Sequence, residues 1–227
     1  MLRTPIVVGL FLAAFALAPR IASADSSVSF SRTGFDAAAI GNIEIELFEM
    51  ALNAASCAVK SGAAHAPGTL TVIDYSKPSS ERRLWVFDLK SRELLYEELV
   101  AHGQGSGANR ATQFSNENET HQTSLGLFKT DTTYLGKNGY SLRLDGLDMG
   151  INDRARDRAI VMHGAPYVSR EFVKKTGRLG RSWGCPAIGA DVARQMIDRV
   201  KGGGLVFAYY PDKQWLKSSK YLGSCRS

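Results

Sequence analysis

Apolar positions along the chain change their period twice. Between Phe35 and about Lys60, the residues Ile40, Ile43, Leu47, Met50, Leu52 and Ala55 recur at spacings near three and four. That is the signature of one buried helical face, and Ser61-Gly62 followed by Pro67-Gly68 ends it. From Thr69 onward the apolar runs are short. Thr69 to Tyr75, Leu84 to Leu89 and Leu94 to Val100 read as strands, with Lys90-Ser91 as a hairpin turn between the last two. His102 to Asn118 is dense in Gly, Ser, Asn and Gln, has Phe114 as its one large apolar residue, and reads as a long functional loop. Strands resume at Gly126 to Thr130 and Tyr140 to Leu144, with Lys137-Asn138-Gly139 as the turn. Ala159 to Met162 is a compact apolar strand that delivers His163 at its end. A polar excursion from Gly164 to Gly184 follows, with a short helix over Val168 to Lys174. A helix over Ala190 to Val200 and a strand over Leu205 to Tyr210 complete the pattern.

The order predicts a mainly β domain with helices, an α+β arrangement. A helical N-terminal segment over 25–68 precedes a β-rich unit over 69–227, and no repeat or low-complexity linker divides them. Spacing alone does not give the strand order.

The first residues add a compartment. Met1-Leu2-Arg3, an apolar run from Ile6 to Ala18 and the small residues Ala22-Ser23-Ala24 form a secretory signal peptide over 1–24. The run is short of the roughly 20 residues a bilayer span needs, and no later segment is apolar enough for a stable membrane span. The expected location is the periplasm or cell envelope. Cleavage leaves 203 of the 227 residues, and loss of Arg3 and Arg20 takes the net charge from +6 to +4. A mildly basic exported chain suits an anionic wall or membrane surface. Its basic residues are dispersed, which argues against a nucleic-acid partner; oligomeric state is left open.

An oxidising compartment pairs thiols, so three cysteines leave one over. Cys185 sits in a glycine-flanked turn, whereas Cys57 lies on the Ala-rich helical stretch and Cys225 in the tail. Cys57 with Cys225 is the natural disulfide; Cys57 as a small core residue and Cys225 as a loose tail thiol is the equal alternative. The chemistry-bearing constellation is Val161-Met162-His163-Gly164 with Arg181-Ser182-Trp183-Gly184-Cys185-Pro186. A thiol attacks as thiolate, and a neighbouring imidazole is its usual activator. A strand end followed by a returning loop can bring two residues 22 apart into contact. Gly184 allows close backbone approach, and N–H groups near Cys185 could receive an oxyanion; Pro186 has none to offer. The four histidines are scattered without metal-ligand spacing, so no metal or other cofactor is expected.

His-Gly followed by Ser-x-Gly-Cys resembles the signature of the YkuD-type L,D-transpeptidase catalytic domain, in particular its murein L,D-transpeptidase branch. Further stretches carry the resemblance from about Leu47 to Pro211: Trp85 to Leu89, Val100-Ala101-His102-Gly103, Phe114-Ser115-Asn116, Ser124-Leu125-Gly126, Gly139 to Gly146, Asn152 to Arg156 and Gly180 to Ala187. The resemblance implies a β-sandwich-like catalytic domain with the cysteine at the mouth of a cleft. It implies Cys185 as nucleophile, His163 as base and acid, and Gly164, Ser182 and Gly184 shaping the site, with peptidoglycan stem peptides as substrate. The thiolate would attack the carbonyl of the third stem residue, release the terminal D-alanine and pass the acyl group to a second stem or to water. Water as acceptor gives a hydrolase; a degenerate site gives a non-catalytic wall-binding protein.

Two departures limit the transfer. Trp183 stands where the family usually has His, and Pro186-Ala187 replace an apolar residue and a polar anchor. Arg181 or Arg178 could bind a stem carboxylate instead. Trp183 is a cleft wall or a stacking surface. His102 is expected as a cleft residue, Asn109, Ser115 and Asn116 more weakly so, and His65 and His121 have no supporting context. The charged stretch Asn152 to Arg158 reads as a turn with ion pairs, in which Arg154 or Arg156 could face the cleft.

Overall fold

The computed structural model describes residues 28–36, 40–223 and 225; the signal peptide expected over 1–24 lies outside them. Nine strands and four helices follow in the order α1 (Ile45–Lys60), β1 (Thr69–Asp74), β2 (Leu84–Asp88), β3 (Glu93–Glu98), β4 (Val100–Ala101), β5 (Gly126–Gly136), β6 (Gly139–Gly146), β7 (Val161–Ala165), α2 (Arg170–Thr176), β8 (Ala187–Gly189), α3 (Ala193–Val200), β9 (Leu205–Tyr209) and α4 (Lys213–Ser218). All nine strands form one sheet in the order β3-β2-β1-β9-β5-β6-β7-β8-β4. Its two edge strands, β3 and β4, are separated in the chain only by Leu99. The sheet is therefore curled nearly closed, and the expected mainly β layering takes the form of one continuous barrel-like wall. β1 to β9 and β7 to β8 are parallel pairs; the remaining ladders are antiparallel.

Arg83 fastens the seam. It is wholly buried. Its Nε and Nη2 donate to the Val100 carbonyl at 3.1 and 2.8 Å, its Nη1 to the Lys77 carbonyl at 2.7 Å, and its backbone N–H to the Glu98 carbonyl at 3.1 Å. A buried guanidinium is tolerated because its donors are met. Burial still pushes its pKa down to about 10.

β1, β2 and β9 are buried on both faces, β2 and β9 as apolar runs and β1 with Thr69, Thr71 and Asp74 interleaved, as central strands covered by helices require. α1 lays Leu47, Phe48, Ala51, Leu52, Ala55 and Ala58 onto them, and α3 contributes Met196, Ile197 and Val200. The helix expected from Phe35 begins only at Ile45. Gly41, at φ +67°, breaks the helical path, yet Phe35, Ile40 and Ile43 bury into the same core. Phe35 packs edge-on against Phe48 and Phe87, with ring centroids 5.0 and 5.9 Å apart. A shared core imitated one helical period.

Three further differences have local causes. β5 runs on to Gly136 because beyond Lys129 it pairs with β6 alone, forming a ribbon that needs no apolar alternation. β4 and β8 are too short to show a period. α4 is set by Asp212, whose carboxylate accepts the Trp215 N–H at 2.7 Å, an N-cap that fixes a single turn over a buried Trp215. Cys57 on α1 is disulfide-bonded to Cys225, tying the helix to the C-terminal segment across 168 residues. Among the described residues no helix is long and apolar enough to cross a membrane.

Candidate active site

His163 lies in the middle of β7 and not at its end, paired with Ser141 of β6 and Ala187 of β8. The strand runs on to Ala165 because Gly164 and Ala165 continue the parallel ladder to Ile188 and Gly189. Cys185 comes two residues before β8. It is the free cysteine, 8% exposed. Its thiol rests just before the start of β7, donating to the Ala159 carbonyl at 3.8 Å. Val161 and His163 alternate onto one face of the strand, separated by about 7 Å of strand rise. The thiol thus lies at the start of the strand that carries the imidazole. Among the described residues no hydrogen bond joins the Cys185 Sγ to the His163 ring.

The His163 Nδ1 lies 3.0 Å from the carbonyl oxygen of Gly164. A carbonyl only accepts, so Nδ1 carries the proton and Nε2 of the neutral ring is left as a base. Burial lowers the His163 pKa, which keeps the ring neutral near neutral pH. The same physics acts on the thiol: burial raises the Cys185 pKa, opposed by the Val161 N–H and by the positive charge of Arg158.

The nucleophile loop is built by backbone packing. Ser182 Oγ donates to the Cys185 carbonyl at 2.6 Å and accepts the Gly184 N–H at 3.2 Å, closing the turn on itself. Gly184 has φ +115°, and a Cβ there would stand 2.8 Å from the Gln122 carbonyl oxygen, so only glycine fits. Its N–H, committed to Ser182, is removed from the set of oxyanion donors. Gly103 meets Gly184 from the other side: a Cβ on Gly103 would lie 2.8 Å from the Gly184 Cα. The two segments are stitched together, Ser182 N–H to the His102 carbonyl at 3.0 Å and Gln104 N–H to the Ser182 carbonyl at 2.8 Å.

His102 is therefore not a cleft residue. It is fully buried, its Nδ1 accepts from Arg83 Nη2 at 2.8 Å, and its pKa is lowered to about 4 by burial and then by the Arg83 charge. The arginines of the charged and nucleophile loops each make local bonds. Arg181 donates to the Gly107 carbonyl and Arg178 to the Leu179 carbonyl. Arg154 pairs with Glu117, and Arg156 with Asp131 and Asp145. Asn109 holds the buried Ser79, and Asn116 bonds Asp153. The basic residue that does reach the nucleophile loop is Arg158, which the sequence had hidden at the end of a charged run. Ser115 serves it as an acceptor.

Trp183, where an imidazole was expected, is 66% exposed. Its ring stacks on His121 at 4.8 Å with 9° between planes, and Lys137 from the β5–β6 turn lies 5.7 Å from its centroid. His121, without context in the sequence, thereby joins the rim of the site. Tyr167, half-buried and packed against Gly180, has its pKa pushed up to about 12 by burial and then by the negative charge of a Cys185 thiolate. Among the described residues no group of three metal-ligating side chains converges.

A near-closed sheet that presents one unpaired thiol on a glycine-packed loop, beside a strand bearing a neutral histidine, defines the class. The chain belongs to the L,D-transpeptidase catalytic domain family, whose sequence profile matches residues 40–209. Solved structures similar to it include an L,D-transpeptidase from Mycobacterium smegmatis, at 15% identity over 63% of this chain and 59% of that one, TM-score 0.39. An L,D-transpeptidase from Stackebrandtia nassauensis matches at 14% identity over 73% and 68%, TM-score 0.39. The helical cell shape determining protein Pgp2 from Campylobacter jejuni matches at 12% over 64% and 48%, TM-score 0.44. The chain spans about three fifths of the length of the Mycobacterium smegmatis protein. No curated protein matches the sequence.

Proposed function

We propose that this chain is an exported cysteine acyltransferase acting on peptidoglycan stem peptides, an L,D-transpeptidase in which Cys185 forms the thioester and His163 moves the protons. The observation that supports the reading is that Cys185, the thiol outside the Cys57–Cys225 disulfide, rests on the Ala159 carbonyl at the entry to the strand that bears His163.

The steps follow from the side chains. His163 Nε2 accepts the thiol proton, and the thiolate attacks the carbonyl of the third stem residue. The C–N bond to the terminal D-alanine breaks, and the departing amine takes the proton back from His163. A second stem's amine then attacks the thioester, giving its proton to His163 and restoring the thiolate. Charge on the tetrahedral oxygen falls to the backbone N–H groups of Trp183 and Cys185, since those of Ser182 and Gly184 are already donated. Pre-set positions of Ser182 and Gly184 mean that little reorganisation accompanies attack.

The test is incubation of the mature protein with tetrapeptide muropeptides, followed by mass analysis. Cross-linked dimer and free D-alanine, both lost in Cys185→Ala, support the reading. Free D-alanine with tripeptide and no dimer assigns water as acceptor. A folded protein with a free, alkylatable Cys185 and no product of either kind overturns it in favour of a wall-binding role.

A further inference from the structure

Arg158 occupies a place that neither the motif nor the thiol–imidazole chemistry explains. It closes the turn after β6, half-buried, immediately before Ala159, whose backbone is held at φ +52° and whose carbonyl receives the Cys185 thiol. Its guanidinium lies against the loop from Ser115 to Ser124. Nη1 donates to the Ser115 carbonyl and the Ser124 hydroxyl, each at 2.6 Å; Nη2 donates to the Gln122 carbonyl at 2.6 Å and the Thr120 hydroxyl at 3.5 Å. The Gln122 carbonyl and the Arg158 Nη2 then stand 2.8 and 3.5 Å from the place where a Cβ of Gly184 would be. One cation thus sits behind the residue next to the nucleophile.

We propose that Arg158 is a positioning residue for the reaction at Cys185: it clamps the Ser115–Ser124 loop against Gly184 and holds a fixed positive charge beside the thiol, which favours the thiolate. The inference rests on Cys185 being the nucleophile.

Donor counting supports this role over substrate binding. A guanidinium has five N–H groups, and four of them are committed to the loop, which leaves Nε alone for a stem carboxylate. Both terminal nitrogens being occupied, the bidentate fork that recognises carboxylates is not on offer. The charge, by contrast, is fully available, since hydrogen bonding to neutral carbonyls and hydroxyls does not neutralise it. Electrostatics runs both ways across the gap: the Arg158 charge lowers the Cys185 pKa, and a Cys185 thiolate raises that of Arg158. Two further charges act on Arg158 in opposite senses, Arg154 and the loop carboxylate Glu117; these two are paired with each other, so Glu117 is met by Arg154 before it could cancel Arg158 at the thiol. Where Trp183 stands in place of a second imidazole, Arg158 supplies the cation from the opposite side.

The experiment reads the thiol itself, independently of turnover. Rates of Cys185 alkylation by iodoacetamide are followed against pH in the full mature chain for wild type, Arg158→Lys and two neutral variants, Arg158→Gln and Arg158→Met. The methionine fills the stem's space without burying an unpaired amide, so a folded neutral variant is secured if glutamine is not tolerated. The expected result is a midpoint raised by about one pH unit in the neutral variants, roughly tenfold less thiolate at a fixed pH below it, with most of the shift absent in Arg158→Lys. A clamp without an electrostatic role would impair lysine and neutral variants alike. An unchanged midpoint in a folded neutral variant, or equal shifts in all three, overturns the proposal. Loss of muropeptide turnover in wild type with the thiol shift intact would instead count against the transpeptidase reading alone.

Discussion

Arg83 Nη2 donates to His102 Nδ1 at 2.8 Å with both side chains fully buried. The pairing fixes His102 as the neutral tautomer with its proton on Nε2, which lies 3.4 Å from the Gly107 carbonyl. It also couples the barrel seam, where Arg83 grips β4, to the loop that backs the nucleophile.

Acid should loosen this junction. The native His102 titrates near 4, against 6.5 for an ordinary histidine. Between those values the unfolded chain binds a proton that the folded chain refuses. Stability therefore falls as pH drops from 6.5 toward 4, and the contribution is complete above 6.5. The interval of 2.5 units corresponds to about 3 kcal/mol; His163, also lowered by burial, acts in the same direction. Urea unfolding at pH 7.5 and pH 5 should show a larger loss for wild type than for His102→Gln. Equal losses in the two proteins would contradict the assignment. At pH 7.5 the variant should itself be weaker by about 1–3 kcal/mol, because a flexible amide replaces the fixed ring nitrogen to which Arg83 Nη2 donates.

The central strands of this fold were legible because buried β runs are continuous or alternating: β2 and β9 are apolar runs, and β1 begins on a Thr-Leu-Thr-Val alternation. The candidates His163 and Cys185 stand out in the sequence because glycine follows one and precedes the other. Arg158 does not. Arg154, Arg156 and Arg158 look equivalent in a charged run, and which of them reaches the loop depends on the turn that ends with Ala159 in the left-handed region. His102 was misread for a related reason: a histidine among glycines resembles a solvent-facing loop residue until the buried Arg83, 19 positions earlier, is brought against it. Long-range polar partners leave no period in a sequence.

Ser182 joins two groups of the nucleophile loop through one hydroxyl. Ser182→Ala leaves the Gly184 N–H without its acceptor and the Cys185 carbonyl without its donor. We expect a cost of about 1–3 kcal/mol localised to this loop, a Tm lower by a few degrees, and at least a tenfold fall in muropeptide turnover. Ser182→Thr, which retains the hydroxyl, should recover much of the rate. Turnover in Ser182→Ala equal to wild type would show that the loop keeps its shape unaided.

The Cys57–Cys225 bond closes a long loop, and its effect should appear in stability and not in the thiol chemistry. Cys225→Ser is expected to cost about 2–4 kcal/mol while leaving the alkylation profile of Cys185 unchanged, since the disulfide ties α1 to the C-terminal segment and not to the 182–185 loop. Tm measured with and without reductant tests this directly: wild type should fall on reduction, and Cys225→Ser should not.

Gly184→Ala tests whether the loop's shape is what presents the thiol. Alanine at φ +115° is strained by about 1–3 kcal/mol on backbone grounds. Its Cβ would also press on the Gln122 carbonyl at 2.8 Å and the Ile160 Cδ1 at 3.0 Å. Ile160 can shift its methyl, but the Gln122 carbonyl is held by Arg158 and yields only if that clamp opens. The relief route is therefore to push Gln122 and the Arg158 guanidinium away from Cys185. Two readouts should move together: a Tm lower by roughly 3–10 °C, and a slower alkylation of Cys185 at pH 7 because the cation has withdrawn. Combining Gly184→Ala with Arg158→Met should then add little to the loss of thiol reactivity in either single variant, as expected for residues acting through one contact. Fully additive losses would mean that glycine and arginine act on the thiol separately.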